Sequence, residues 1–170
     1  MTGSRLSLRQ EKSGRVLAVL IVLSVLSVLS GCRQPSGPTS TFRDYQGNEL
    51  SRFSEHSPWL IVSYWAIWCK SCREEIPELN ALAKADNGIQ VWGVDFDNPT
   101  SVAELDAKVD KLGIAFPVLA PASVPQLALE MPPVLPASYI IAPDGSVKER
   151  LLGSYSMIEL QDIVHRLKSG

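Results

Sequence analysis

The chain has 170 residues, of which 45% are hydrophobic and 20% charged, the size and composition of one ordinary globular domain with little room for a second. Twelve prolines and eleven glycines are too few and too scattered for a collagenous or low-complexity chain. The net charge of −2 divides into +3 over residues 1–31 and −5 over the rest, and an acidic body without a basic stripe argues against nucleic acid as a partner.

The first element is a leader. Arg5, Arg9, Lys12 and Arg15 precede an apolar run from Val16 to Leu29, interrupted only by Ser24 and Ser27. As a helix that run reaches about 21 Å, short of a hydrocarbon core of roughly 30 Å, which favours a cleaved signal peptide over a permanent span. The alternative is an uncleaved anchor beside an incidental Cys32. The closing Leu29-Ser30-Gly31-Cys32 resembles the lipobox of bacterial lipoproteins. That resemblance implies removal of residues 1–31, lipidation of Cys32 and attachment to a membrane of the bacterial envelope. Several acyl chains at about 0.8 kcal/mol per buried methylene make such an anchor stable. Residues 32–41 are polar and rich in Pro, Gly and Ser, the composition of a flexible tether.

The domain proper is expected over residues 42–170. Leu60 to Ala66 is a nearly continuous apolar run that suits a strand buried on both faces. Cys69 and Cys72 follow at once. Beyond them Ile76, Leu79 and Ala83 recur at helical spacing until Asp86-Asn87-Gly88 ends the pattern, so the cysteines head a helix. Ile89 to Phe96 reads as a second buried strand, and Val102, Leu105, Val109 and Leu112 as a second helix ended by Gly113. Five prolines between Phe116 and Pro136 predict a loop, with one short helix around Gln126 to Glu130. Ser138 to Ala142 and Val147 to Leu152 form a β pair around a Pro143-Asp144-Gly145-Ser146 turn. Ile158, Leu160, Ile163, Val164 and Leu167 put an apolar stripe on a closing helix.

Three cysteines is an odd number for an exported protein, and lipidation of Cys32 accounts for the odd one. Cys69 and Cys72 are too close in sequence to staple distant parts of a fold, so their work is local. A zinc knuckle would need two more Cys or His ligands, and only His56 and His165 are present, without ligand spacing; no metal is expected.

Trp68-Cys69-Lys70-Ser71-Cys72, with Tyr64-Trp65-Ala66 before it and Pro77 after it, resembles a thioredoxin-family active site. Cys72-Arg73-Glu74-Glu75-Ile76-Pro77-Glu78-Leu79 is similar to the TlpA/ResA-like branch of exported, membrane-anchored members. The similarity runs from about Phe42 to Lys168. It implies an α/β thioredoxin-like fold, βαβ then ββα, with a central mixed sheet flanked by helices. It also implies a thiol-disulfide oxidoreductase with no cofactor beyond its own Cys69-Cys72 couple.

A thiolate is the attacking species in disulfide exchange, and a helix N-terminus favours the anion through its free N–H groups and macrodipole. Cys69, beside Trp68, is therefore expected to be the exposed attacking thiol and Cys72 the buried resolving thiol. Lys70 either adds to the stabilisation of the thiolate or is a solvated lysine with a small screened effect. Cytosolic thioredoxins resemble one another in a buried acid at the position of Ser63. Glu75, one helical turn beyond Cys72, is the substitute: a partly buried carboxylate with a raised pKa would take the proton from Cys72. The competing reading makes it a solvent-facing helix glutamate like Glu74 and Glu78. Pro136, two residues before Ser138 and in the pattern Pro136-Ala137-Ser138-Tyr139, matches the family's cis-proline, whose loop pairs with the substrate. The substrate groove is expected around Trp68, Pro136 and the loop from Phe116 to Pro133. Trp59, Trp65 and Trp92 are expected in the core.

In an oxidising compartment a reductant of this kind needs electrons from a membrane donor of the thiol-reducing type. The resemblance implies exported protein thiols as partners, in cytochrome c biogenesis or copper-site assembly. A metallochaperone-type thioredoxin-like protein is the alternative, although that group spaces its cysteines by three residues and adds a histidine. A peroxidase would need a Pro/Thr/Cys/Arg surround that Cys69 lacks.

Overall fold

The computed structural model describes residues 41–51 and 57–170. The expected signal peptide and Cys32 lie outside the described residues, and Thr41, the last residue of the expected tether, already opens a strand.

Two short strands, β1 (Thr41–Arg43) and β2 (Glu49–Ser51), pair antiparallel around a turn at Asp44. Nothing in the apolar pattern foretold them, because they are three residues each and mostly exposed. The central strand is β3 (Trp59–Trp65), buried at every position as its unbroken apolar run requires. The chain returns as α1 (Lys70–Lys84), which buries Cys72, Glu75, Ile76, Leu79 and Leu82. Pro77 lies inside this helix without ending it. Having no N–H, it leaves the carbonyl of exposed Arg73 to solvent.

Strand β4 (Ile89–Asp95) pairs parallel with β3, and α2 (Val102–Leu112) follows, capped by Ser101 and stopped by Gly113 in the left-handed conformation at φ 64°. The chain then runs along the outer edge of β4, where Val118 bridges Gly93 in parallel and Leu119 bridges Asp44. Gly93 is required here. A Cβ on it would lie 2.9 Å from both Trp65 Nε1 and Phe116.

The short helix expected around residues 126–130 is instead a 3-10 helix at Pro121–Leu127. Pro121 presets its first turn, Pro125 denies it a continuous hydrogen-bond ladder, and Ala128 ends it at φ 52°. Strand β5 (Ala137–Ile141) adds antiparallel to β3 and β6 (Val147–Leu152) adds antiparallel to β5, giving the order β4-β3-β5-β6. Helix α3 (Met157–Ser169) closes the domain, its start fixed by reciprocal bonds between Ser156 and Glu159. Ile158 is exposed, contrary to the expected stripe: it lies two residues, about 200°, from Leu160 on the helix and so faces away from the sheet.

The sheet separates two cores. On one face α1, α2 and α3 cover Ile61, Trp65, Val91, Ile140 and Leu151. On the other, β1 and the 3-10 helix cover Leu60, Val62, Tyr64, Trp92, Tyr139 and Ile141. Trp59, Trp65 and Trp92 are all buried.

Candidate active site

The C-terminal end of β3, the N-terminus of α1 and the N-terminus of antiparallel β5 meet at one end of the sheet, and the two cysteines lie there. Cys69 is the N-cap of α1: its backbone is extended, and its Sγ accepts a hydrogen bond from the Cys72 N–H at 3.2 Å. A sulfur at this position receives the unpaired donors and the positive end of the helix dipole. The two sulfurs are joined as a disulfide with a Cα–Cα distance of 5.3 Å. Cys69 is only 5% exposed and Cys72 1%. The contrast expected between an exposed and a buried thiol is thus small in the disulfide form, because the bond and the cap hold Cys69 Sγ against the first turn. Ser71 Oγ lies 3.6 Å from Cys69 Sγ.

Trp68, directly before Cys69 in the chain, is 62% exposed. Its indole N–H donates to both carboxylate oxygens of Asp97, at 3.0 and 3.1 Å, and its ring meets Phe96 edge-on at 6.5 Å. Arg73 donates to the Ile67 carbonyl at 3.1 Å, holding the loop that carries Trp68. Lys70 is solvated and 3.7 Å from Glu74, so its charge is shared with a neighbouring carboxylate as well as with solvent.

Glu75 is not a solvent-facing residue. It is 2% exposed, and its Oε1 accepts from the Tyr155 N–H at 3.1 Å, in the loop between β6 and α3. Burial pushes its pKa up to about 7, against the smaller opposite effect of the Tyr155 bond. Glu78, one turn on, accepts from the Met157 N–H at 2.8 Å. Ser63 lies on β3 on the helix face and is buried.

The Leu135–Pro136 peptide bond is cis. Pro136 directly precedes β5, and its carbonyl accepts from the Gly153 N–H at 2.9 Å. Since Ala137 pairs with Tyr64, Pro136 sits at the end of β3 from which the cysteine loop departs. A cavity of about 300 Å³ opens beside this corner, lined by Phe96, Leu119, Val124 and Met131 among others. Met131 and Val134 expose apolar side chains on the same loop.

Two features of this corner had no signal in the sequence. Asp97 belongs to no recognisable motif until the fold brings it to Trp68, and the donor to Glu75 is a backbone N–H, which no side-chain pattern can reveal. Among the described residues no group of three His, Cys, Asp or Glu stands together as a metal site.

A mixed sheet with helices packed on it and a cysteine pair capping the helix after its central strand defines a thioredoxin-fold dithiol/disulfide protein. Residues 36–150 match the model of the AhpC/TSA family, and the chain belongs to that family. Among its relatives is the thiol-disulfide oxidoreductase ResA of Bacillus anthracis, 24% identical over 132 residues that cover 76% of this chain and 75% of that one. StoA from Bacillus subtilis superposes with a TM-score of 0.59 at 14% identity, over 73% of this chain and 94% of that one. A secreted Mycobacterium tuberculosis disulfide oxidoreductase, described as homologous to Escherichia coli DsbE, gives 0.52 at 19% identity, over 74% and 94%. The protein is a TlpA/ResA-like thiol-disulfide oxidoreductase with Cys69 and Cys72 as its disulfide.

Proposed function

We propose that this protein is a lipid-anchored reductant of disulfides in exported proteins, held at the envelope through Cys32 and supplied with electrons by a membrane thiol donor. The observation that carries the catalytic part is the disulfide at the head of α1 with a buried carboxylate, Glu75, one turn behind Cys72. The reduced form would use Cys69 as the attacking thiolate. It opens the substrate disulfide, forms a mixed disulfide and releases one substrate thiolate. Cys72 then gives its proton to Glu75 and attacks Cys69 Sγ. The Cys69–Cys72 bond forms, the bond to the substrate breaks, and two electrons have passed to the substrate. A carboxylate with a pKa of about 7 is divided between its two forms near neutral pH, as a proton acceptor and later donor must be.

The substrate would lie across Trp68 and the Pro136 corner, where exposed Met131 and Val134 supply apolar contact. Pro136 has no N–H and its carbonyl is already bonded to Gly153, so the substrate backbone would pair with Leu135. The envelope location is supported by the Leu29-Ser30-Gly31-Cys32 motif and by the secreted relative of the same fold. No helix among the described residues is long and apolar enough to cross a membrane, and the proposed lipid on Cys32 would supply the attachment.

A redox titration of the full chain tests the direction. A potential near the thioredoxin end of the scale, about −270 mV, is expected, whereas one near about −120 mV would make the protein a disulfide donor and overturn the reading. Mass spectrometry that found a free thiol on Cys32 would remove the anchor.

A further inference from the structure

Buried polar atoms in folded proteins are nearly always paired, with protein or with ordered water. On the helix face of the sheet three have no protein partner: Ser63 Oγ, Ser138 Oγ and Trp65 Nε1. They fall in one row. Ser138 on β5 and Gly93 on β4 are the register partners on either side of Ser63, and adjacent strands are about 4.8 Å apart. Trp65 Nε1 lies 2.9 Å from where a Cβ on Gly93 would be, so the indole N–H stands over the β4 position of the same row. The fourth such atom among the described residues, Asn87 Nδ2, is at the opposite end of β4. An unpaired buried hydroxyl is destabilising, a cost that alanine at Ser63 or Ser138 would avoid.

The row lies under the first half of α1. Ser63 is two residues, about 7 Å, below the end of β3, and Glu75 and Ile76 are at a similar depth along the returning helix. Cys72 and Ile76 belong to the same packed cluster as Ile61 and Trp65, the residues that flank Ser63 on its face. Glu75 approaches from the β5 side: it is held by Tyr155, and Gly153 just before it is bonded to Pro136, which precedes Ser138 by two residues.

We propose that Ser63 Oγ, Ser138 Oγ and Trp65 Nε1 hold an internal water between Cys72 and Glu75, and that the proton leaving Cys72 reaches Glu75 through this water. An internal water needs two to four polar partners, and the row supplies three. The inference rests on the reading of Glu75 as the proton acceptor. In the resolving step the Cys72 thiol gives a proton to the water and the water gives one to the Glu75 carboxylate. The Cys72 thiolate attacks Cys69 Sγ, and the substrate sulfur leaves as a thiolate. Water is unchanged overall. Ser63 and Ser138 are positioning residues that act through it.

The titratable groups around this space are Cys72 and Glu75 on α1, Glu78 bonded to the start of α3, Tyr155 in the loop after β6, and the Asp95–Lys108 pair between β4 and α2. Only Glu75 combines burial with a hydrogen-bonded link toward the row, through Tyr155, so its titration should dominate the response.

The test uses the reduced full chain and oxidised glutathione. The resolving step, from the Cys69–glutathione mixed disulfide to the Cys69–Cys72 disulfide, is followed by quenched mass spectrometry from pH 5 to 9. The double variant Ser63→Ala/Ser138→Ala should slow this step by about tenfold at pH 7 and flatten its pH profile, less than the roughly 10²- to 10⁴-fold of a direct acid–base group. Its melting temperature should stay close to that of wild type, because two hydroxyls are removed while the Trp65 N–H loses its water. In a Glu75→Gln background the serine substitutions should add no further loss. Wild-type Trp65 should show NMR cross-relaxation between its indole N–H and a long-lived water, absent from the double variant. If the double variant folds poorly, the two single alanine variants are read in the same way.

A wild-type rate and profile in the serine variants, an equal loss in the Glu75→Gln background, or no bound water at Trp65 would each overturn the relay. If Glu75→Gln alone matches wild type at every pH, the reading of Glu75 fails and the relay with it. A clear Glu75→Gln effect beside silent serine variants removes the relay alone.

Discussion

The face of the sheet covered by β1 and the 3-10 helix buries polar groups only where their bonds are provided. Asp44 accepts from the backbone of Gln46 and Asn48 and from the Asn48 side chain, Ser123 accepts from the Arg43 N–H, and the Tyr139 hydroxyl donates to the Glu130 carbonyl. The face covered by α1, α2 and α3 differs. It buries Glu75 with a hydrogen bond from the Tyr155 N–H and leaves two serine hydroxyls and an indole N–H without protein partners. Both faces have a dense apolar core, so the difference is not one of packing. One face holds the domain together. The other gives up stability to keep ionisable and polar atoms next to a disulfide.

The largest test of this contrast is at the cysteines. Cys69→Ser should abolish disulfide exchange, and Cys72→Ser should accumulate mixed disulfides with substrate, seen as new bands on non-reducing gels. Full turnover by Cys72→Ser would reverse the two roles. On the opposite face Phe42→Ala, which removes a fully buried ring packed 5.3 Å from Trp92, should cost about 3–5 kcal/mol in denaturant unfolding. The redox potential of the folded fraction should not move. A shifted potential would mean that the faces are coupled.

Next in size is Glu75→Gln. The folded state takes up a proton at a pKa of about 7, whereas the unfolded chain does so near 4.5. The native state therefore binds more protons between these values, and wild-type stability falls as pH rises through this window. The variant lacks that fall. It should match wild type at pH 4 and exceed it at pH 8 by up to about 3 kcal/mol, at about 1.4 kcal/mol per pKa unit. Parallel stability curves for the two proteins would place Glu75 in solvent. The smallest effect is expected at Lys70→Gln, which breaks an exposed pair with Glu74 and should change stability by less than about 0.5 kcal/mol.

The helix face was the more legible from sequence. Its strands are unbroken apolar runs, its helices carry periodic stripes with Gly113 as punctuation, and the spacing of Cys72 and Glu75 put both on one side of α1. The hairpin face was hidden for reasons of length and register. Strands of three residues have too little alternation to stand out, and the turn that joins β1 to β2 is built from hydrogen bonds to Asp44, not from an Asn-Gly or Asp-Gly pair. Pro121 and Pro125 signalled irregular chain but not where its one helical stretch would lie. Within the site, residues defined by side-chain chemistry could be named in advance. Asp97, the Tyr155 N–H and the row of Ser63 with Ser138 depend on register and loop closure, which only the folded chain fixes.

The path of the chain along β4 has a further consequence for how the protein meets other polypeptides. With Val118 bridged to Gly93, the outer side of β4 is partly occupied, and among the described strands of the main sheet β6 forms the other margin. That margin carries Lys148, Glu149 and Arg150 in succession, and Val147 is its only exposed apolar residue ahead of Leu152. Charged side chains along an outermost strand discourage foreign backbone from extending the sheet, and so guard against aggregation. An enzyme whose work is to touch cysteines in other chains is surrounded by extended peptide that could add itself as one more strand. Its rim is protected against that capture, which leaves visiting chains the corner proposed above, beside the disulfide.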